Sequence, residues 1–220
     1  MMARLRIWRN VSSIAAVMVF GGAALTAGQL ASRPAEEWTK TLEGPARVAA
    51  LKIDEVVASL RLRPGQTVAD IGAGSGLLEV PLARAVGPKG RVYAVEIDAE
   101  FFPEIMKRAG DAKLTNVQTV LGKFTDPSLP VTTVDLALFH DVLHHVEDRA
   151  GYLKTLTRYL APGGRITVVD YEGGQGPHKD QPELQVTRQQ IATWMAAAGM
   201  TLVDDVKLFP DKYVLAYAKR

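Results

Sequence analysis

The stretch Val68-Ala69-Asp70-Ile71-Gly72-Ala73-Gly74-Ser75-Gly76-Leu77-Leu78-Glu79-Val80 decides the fold of this 220-residue chain. A short apolar run leads into three glycines at alternate positions, and a helical pattern follows. Such a run is typical of a buried parallel strand, and glycines let the backbone turn tightly beneath a ligand. The helix start adds free N–H groups and a partial positive charge. The stretch predicts a strand, a turn and a helix, and the turn alone fits a ligand site and a plain connection equally well.

A second predicted strand, Arg91 to Asp98, ends in acidic residues, and Glu96 lies twenty residues after Gly76. In nucleotide-binding βαβ units, an acid at the end of the second strand accepts hydrogen bonds from ribose hydroxyls. A solvated charge at a strand end is the alternative for Glu96 taken alone. The glycine turn and the acid, at this spacing, together favour a nucleotide cofactor.

The glycine spacing separates two classes of nucleotide site. The dinucleotide fingerprint is Gly-x-Gly-x-x-Gly, whereas this chain has Gly-x-Gly-x-Gly after an acid. This arrangement resembles motif I of the class I S-adenosylmethionine-dependent methyltransferases. Later segments resemble the family in the same order: Leu121-Gly122-Lys123, Val134 to Val146, and Leu160-Ala161-Pro162-Gly163-Gly164 before a fifth strand that ends at Asp170.

The resemblance covers about residues 45 to 220 and is strongest toward ubiquinone/menaquinone-type and other small-molecule methyltransferases. It implies methyl transfer from S-adenosylmethionine to an O, S, N or C atom of a small molecule. A non-catalytic cofactor-binding module of the same fold is one alternative. A nicotinamide-dependent oxidoreductase is another, and the glycine spacing disfavours it.

The alternation of strands and helices predicts an α/β fold with a doubly wound, mostly parallel sheet. The resemblance implies seven strands in a Rossmann-like arrangement. Two closing strands, residues 201–208 and 213–218, are separated by Pro210-Asp211 and predict an antiparallel hairpin. A helix is expected from Leu77 to Val86, one or two helices over residues 38–60, and a helix capped by Thr187.

The amino-acid composition excludes several classes of function. The formal net charge is +2, and no basic run follows residue 10, so a nucleic-acid substrate is not expected. The chain has no cysteine, which excludes disulfides, thiolate metal sites and cysteine nucleophiles. It also argues against enzymes that hold a thiophilic metalloid between cysteines.

The N-terminal 32 residues differ from the rest of the chain in the distribution of their charges. Arg4, Arg6 and Arg9 precede a charge-free stretch from Asn10 to Ser32, which is typical of a secretory signal or an N-terminal membrane segment. We therefore expect a signal or membrane segment at residues 1–32, with membrane association through residues 11–30, and a linker with cap helices at residues 33–62. The methyltransferase domain follows at residues 63–220. The expected location is the cell envelope, and the cytoplasm is the alternative, because S-adenosylmethionine is a cytosolic metabolite.

The resemblance implies cofactor-binding roles for residues at the carboxyl ends of the strands. The glycine turn is expected to face the methionine half of the cofactor, and Glu96 the ribose. Many relatives carry an aspartate after the glycine of strand three, whereas this chain has Lys123, so Phe124 is expected to stack on adenine and Asp126 is a fallback acceptor. The expected cofactor residues are Asp70, Gly72, Ala73, Gly74, Ser75, Gly76, Glu96, Ile97, Gly122, Lys123, Phe124 and His140.

His140 ends strand four at the position that faces the methyl group in the resembled fold. A neutral imidazole there is a candidate general base, and a purely structural histidine is the alternative. Asp141 is a second catalytic candidate. In metal-dependent catechol-type enzymes the positions of Asp141 and Asp170 hold magnesium, but Tyr171 stands where those enzymes have Asn, so no metal is expected.

Two further segments are expected to border the site. Residues 171–178 are glycine-rich and are expected to arch over the acceptor pocket, with a plain connector as the alternative. The pair His144 and His145 is expected to support the neighbouring loop. Trp38 and Arg47 are expected to be a packing residue and a solvated charge rather than parts of a lid.

Overall fold

A computed structural model of the chain describes residues 34–219, so the expected signal or membrane segment lies outside the described residues. One sheet holds seven strands: β1 (Thr67–Ile71), β2 (Arg91–Glu96), β3 (Val117–Leu121), β4 (Val134–His140), β5 (Leu160–Tyr171), β6 (Met200–Val206) and β7 (Lys212–Lys219). The helices of this region are α1 (Ala35–Leu42), α2 (Pro45–Leu51), α3 (Ile53–Ser59), α4 (Glu79–Val86), α5 (Phe102–Asp111), α6 (Arg149–Leu156) and α7 (Arg188–Ala197). Within residues 34–219, every helix is too short or too polar to cross a bilayer.

The strand order is β3-β2-β1-β4-β5-β7-β6. Strands β1 to β5 run parallel, and β7 runs antiparallel to its neighbours β5 and β6. The chain therefore begins at the centre of the sheet, winds outward to β3, and returns to β4 on the other side. The predicted doubly wound, mostly parallel sheet with a C-terminal antiparallel pair is confirmed.

The central strands are apolar because helices cover both faces of the sheet. On one face α3, α4 and α5 pack through residues such as Val56, Leu82 and Ile105. On the other face α6 and α7 pack through Leu153 and Ile191, among others. The sheet and its two layers of helices thus form the core that positions the loops at the carboxyl ends of the strands.

Three boundaries differ from the sequence-based expectation. The helix after the glycine turn begins at Glu79 rather than Leu77, because residues 74–78 complete the turn. The N-terminal region holds three helices, since Lys52 adopts a left-handed conformation (φ 48°) between α2 and α3. The Pro162-Gly163-Gly164 turn lies inside β5 as a bulge opposite β4, where the register shifts.

The predicted cap at Thr187 is present, and the structure adds a second cap at Asp148. The Thr187 hydroxyl accepts a hydrogen bond from the Gln190 N–H, and the Gln190 side chain accepts one from the Thr187 N–H, which forms a capping box on α7. Asp148 caps α6 by accepting from the Gly151 N–H at 2.9 Å. These local signals fix where each helix starts, and hence where the preceding loops lie.

Candidate functional site

A cavity of about 470 Å³ lies at the carboxyl ends of the central strands, where the winding of the sheet reverses. Cavities of this size hold small molecules. Eleven of the thirteen residues that the sequence predicted for a site line it: Asp70, Gly72, Ala73, Gly74, Ser75, Glu96, Ile97, Lys123, Phe124, His140 and Asp141.

The glycine turn after β1 is bound to the neighbouring strand β2. The N–H groups of Gly72 and Ala73 donate to the carbonyl oxygen of Val95 at 2.8 and 3.1 Å. Gly72 and Gly74 have φ values of 74° and 54°, in the left-handed region that favours glycine. A Cβ atom on Gly72 would collide with the side chain of Val142, and one on Gly74 would lie 3.2 Å from Leu42 Cδ1.

Gly76 and Gly122 are the two predicted cofactor residues that do not line the cavity. A Cβ atom on Gly76 would lie 2.9 Å from Ile105 Cγ1 of α5, and one on Gly122 would lie 2.9 Å from Val95 Cγ1. Both glycines allow neighbouring elements to pack closely. The cofactor-binding roles of Gly76 and Gly122 stay predictions.

Glu96, at the end of β2, is held in place by backbone N–H groups. One carboxylate oxygen accepts from Gly74 at 2.9 Å, and the other accepts from Ile97 at 2.7 Å and Asp98 at 3.3 Å. The side chain is 91 % buried by area, and burial raises its pKa against the opposing effect of these hydrogen bonds. A carboxylate has about four acceptor positions, so three accepted bonds leave about one for a ligand.

Beneath the glycine turn lies a buried pair of carboxyl groups, Asp70 of β1 and Glu79 of α4. Asp70 is 2 % exposed and Glu79 is 0 % exposed. A hydrogen bond joins the two carboxyl groups, so they are positioned to share a proton. Burial raises the pKa of Asp70 to about 7, and burial together with the charge of Asp70 raises the pKa of Glu79 well above its ordinary range.

His140 is the last residue of β4, as predicted, and its side chain is almost fully buried. Its Nε2 atom has no hydrogen-bond partner among the described residues. Burial lowers its pKa to about 4, and the nearby cations Lys212 and Arg47 act in the same direction. The imidazole is therefore neutral at physiological pH, with a nitrogen available to accept a proton.

Asp141, the second catalytic candidate, is engaged in a buried ion pair. Its carboxylate accepts from Lys212 Nζ at 2.6 and 2.9 Å, and Lys212 is 5 % exposed. The ammonium also lies 4.4 Å from the centre of the Tyr171 ring. Since β7 supplies Lys212, the pair ties the end of β4 to the antiparallel part of the sheet.

At the expected adenine end, Phe124 lines the cavity and is 47 % exposed, which suits stacking on a base. Lys123 also lines it. Asp126, the fallback acceptor, is instead engaged elsewhere: its carboxylate accepts from Ser128 N–H at 2.6 Å and from the Tyr159 hydroxyl at 2.7 Å. Both contacts are made by Asp126 Oδ1 and hold the side chain in its own turn, and its role as fallback acceptor stays a prediction.

All four histidines of the chain line the cavity, and three of them form a cluster. His144 and His145 lie in a short 3₁₀ turn after β4, and His178 lies in the glycine-rich segment after β5. One ring nitrogen of each lies within 4.8 Å of one from each of the others. His144 Nδ1 lies 2.8 Å from Asp170 Oδ1, and the His144 N–H donates to Asp170 Oδ2 at 3.2 Å, so Asp170 joins this turn to the end of β5.

The N-terminal helices form one wall of the cavity. Trp38 and Arg47 both line it, although the sequence favoured packing for Trp38 and a solvated charge for Arg47 over a lid role. Arg47 donates to the carbonyl oxygen of Leu42 at 2.7 Å and so joins α2 to the end of α1. Helix α1 is thus positioned as a cover over the glycine turn.

Sequence reasoning missed two buried charged residues, Glu79 and Lys212. Glu79 is an acid at an inward position of an apolar helix, and this signal was available in the sequence. Lys212 begins an apolar strand, and only the pairing of β7 with β5 brings it to Asp141.

Residues 69–168 match the family model described as methyltransferase domain. The fold is that of the class I S-adenosylmethionine-dependent methyltransferases, and the match of the central region to their domain agrees with it. The resemblance stated from the sequence is confirmed.

Individual relatives agree with this class. The ubiquinone/menaquinone biosynthesis C-methyltransferase of Vibrio vulnificus is 31 % identical over 110 residues, which are 50 % of this chain and 42 % of that protein. The crystal structure of an S-adenosylmethionine-dependent methyltransferase from Aquifex aeolicus superposes with a TM-score of 0.73 at 24 % identity and covers 83 % of this chain and 96 % of that one. Magnesium protoporphyrin IX methyltransferase from Synechocystis, solved with bound S-adenosylhomocysteine, has a TM-score of 0.65 at 20 % identity over 84 % and 93 % of the two chains. The chain spans about two fifths of the length of the first curated relatives that it matches.

Proposed function

We propose that this protein transfers a methyl group from S-adenosylmethionine to a small-molecule acceptor. One observation carries the proposal: the glycine turn, Glu96 and His140 meet in a single cavity at the switch point of the sheet. The match of residues 69–168 to a methyltransferase domain supports the same function.

The residues present suit the cofactor. The free acceptor position of Glu96 can bind a ribose hydroxyl. The carboxyl pair of Asp70 and Glu79 gives the floor beneath the turn a negative charge when it ionises, which complements the ammonium of the methionine part. Ile97 and Phe124 provide apolar and aromatic surface for adenine.

The chemistry then depends on alignment and on one proton. S-adenosylmethionine supplies, when bound, an electrophilic methyl group on a sulfonium. The new bond to the methyl carbon forms as the sulfur–methyl bond breaks, and the electron pair of that bond stays on sulfur. If the acceptor arrives protonated, His140 takes the proton in this proposal, and its unpartnered Nε2 supports that role. The buried surroundings of His140 keep bulk water from competing.

Calorimetric titration of the full chain with S-adenosylhomocysteine tests the cofactor site. We expect binding by the native chain and its loss in Gly74→Val, because the side chain would strain a left-handed position and fill space beside Leu42. Gly110→Ala is the matched control, since a Cβ at that helical position meets nothing within 4 Å.

Failure of the native folded chain to bind at millimolar ligand would reject the proposal. Binding without turnover of S-adenosylmethionine, against a panel of phenols, thiols, amines and quinols, would instead identify a non-catalytic binding module.

We further propose that residues 1–32 direct the protein to the cell envelope, either as a cleaved signal or as an anchor, and that residues 33–62 connect them to the methyltransferase domain. Three arginines followed by a charge-free stretch support this. Fractionation of cells that express the full chain tests it. Recovery of the intact chain entirely in the cytoplasmic fraction would contradict it.

A further inference from the structure

We propose that His144, His145 and His178 form a transition-metal site for a cation of the Zn²⁺ class, with an open coordination position that faces the cavity. The methyl acceptor would bind the metal at this open position through an oxygen or sulfur atom, as a phenol or a thiol does. Metal binding is argued from the geometry of the cluster and does not depend on the proposed function. Only the binding of a methyl acceptor by the metal rests on the proposed function.

Three imidazoles converge from two different segments. Their ligand atoms lie within 4.8 Å of one another, and the ring centres of His144 and His145 are 4.2 Å apart. The ring centre of His178 lies 5.1 and 5.2 Å from the other two. A small inward movement would bring the three nitrogens to the roughly 2 Å bonds of a zinc–histidine centre.

Two of the rings are already oriented as metal-bound histidines are. His144 Nδ1 lies 2.8 Å from an Asp170 carboxylate oxygen, and His178 Nδ1 lies 2.6 Å from the Gln181 amide oxygen. An acceptor on Nδ1 places the proton there and leaves the lone pair on Nε2, which is the pattern of outer partners around metal-ligating histidines. Nothing in methyl transfer itself requires that arrangement.

The third ring provides an independent observation. His145 Nδ1 is buried and has no hydrogen-bond partner among the described residues. Buried polar nitrogens are rarely left without a partner, so this atom points to a ligand. A metal ion held by the other two rings would supply it.

The two segments that carry the rings are also fastened together. The Arg149 guanidinium donates to the carbonyl oxygens of His144 at 2.6 Å and Glu183 at 2.8 Å. The Gln185 amide donates to the carbonyl oxygen of His178. The glycine-rich segment, expected to cover the acceptor pocket, is thereby held against the turn after β4.

The donor set selects the metal class. Three neutral imidazoles favour Zn²⁺, Co²⁺, Ni²⁺ or Cu²⁺ over Mg²⁺, which prefers oxygen. The sequence-based expectation of no metal considered the carboxylates Asp141 and Asp170. Asp141 is paired with Lys212, and Asp170 serves here as an outer partner of a ligand rather than a ligand.

The test is titration of the untagged, chelator-treated full chain with Zn²⁺ by calorimetry and with Co²⁺ by visible absorption. The chain has four histidines and no cysteine, so few other strong ligands compete. We expect one equivalent per chain and at least about 100-fold weaker binding in His178→Ala. Gln181→Ala should weaken binding roughly 10-fold through the lost outer partner. His140→Ala is the matched control, because it removes a histidine of the same cavity from outside the cluster.

Binding is measured without S-adenosylmethionine, so a failure of cofactor binding would not affect it. Absence of binding at about 1 mM Zn²⁺, or equal affinity in His178→Ala, would overturn the site. If His178→Ala loses its native circular dichroism, His178→Gln replaces it. Phenol or 2-mercaptoethanol should change the Co²⁺ spectrum, and a spectrum indifferent to both would overturn the open position.

Discussion

At the scale of the residue, burial changes the chemistry that His140 can perform. An unperturbed histidine titrates near pH 6.5, which would give a methyltransferase a rate limb close to neutrality. The structure lowers the pKa of His140 to about 4, mainly by burial. His140 is therefore deprotonated throughout the physiological range, and a base role would show no titration limb there.

We expect His140→Ala to lower turnover of a phenol acceptor by roughly 10²–10⁴-fold while S-adenosylhomocysteine affinity stays nearly unchanged. In the native enzyme the limb assigned to this residue should fall near pH 4, with activity lost as the pH drops through it. The measurement is kcat against pH together with calorimetric affinity. Turnover of a thiol acceptor should fall much less in His140→Ala, because a thiol is already partly ionised.

A purely structural His140 would give a different pattern. The substitution would then weaken cofactor binding, and phenol and thiol turnover would fall in parallel.

At the scale of the element, polar contacts help to hold helix α1 in position over the glycine turn. The Arg108 guanidinium of α5 donates to Glu43 Oε1 at 2.6 Å, at the end of α1, and to the carbonyl oxygen of Ser75 at 3.0 Å. One side chain therefore joins the cover to the turn that it covers. The N–H of Ala35 adds a bond to Glu100 at 3.2 Å at the other end.

We expect Glu43→Gln to let α1 open more readily, because it replaces a charge-assisted hydrogen bond at a half-buried site by a neutral one. The amides of residues 35–42 should exchange with deuterium roughly tenfold faster, a change of about 1.4 kcal/mol, while those of β1 and β4 keep their rates. Lys40→Ala is the control on the same helix, since its pair with Glu36 is exposed on both sides. Equal exchange in Glu43→Gln and the native chain would show that apolar packing alone holds α1.

At the scale of the whole molecule, the fold could be predicted because its signals are local. The apolar strands, the glycine turn and the Thr187 cap each identify an element from its own sequence, and the order of elements then fixes the sheet. The meeting of the glycine turn and Glu96 at one end of the cavity could be predicted for the same reason, because both belong to one βαβ unit.

The remaining parts of the site depend on contacts between distant segments. His178 meets His144 only after the strand β5 and its loop have folded back, and Lys212 reaches Asp141 across 71 residues of sequence. Glycines at 76 and 122 match the family pattern for a ligand site, and each also leaves room for close packing. Sequence spacing cannot distinguish these cases, because both require a residue without a side chain.

The stability of the whole molecule should depend on pH through the buried carboxyls Asp70 and Glu79. Since burial raises both pKa values, the folded chain keeps a proton that the unfolded chain releases. The contribution of these two groups to the free energy of unfolding is then fully present below about pH 4. It is lost as the pH rises through about 7, the raised pKa of Asp70. The pH dependence has this sign because unfolding releases protons in that window.

We expect Glu79→Gln to remove most of this loss, because an uncharged amide can donate to Asp70 and no second buried charge forms. The variant should match the native chain near pH 4 and exceed its free energy of unfolding at pH 8 by on the order of 1–4 kcal/mol. Urea unfolding at pH 4, 6 and 8 measures this. Glu55→Gln on the exposed side of α3 is the control and should leave the native slope unchanged. Parallel profiles for Glu79→Gln and the native chain would mean that Glu79 is already paired with a donor when folded, and that the floor of the cavity carries no proton to release.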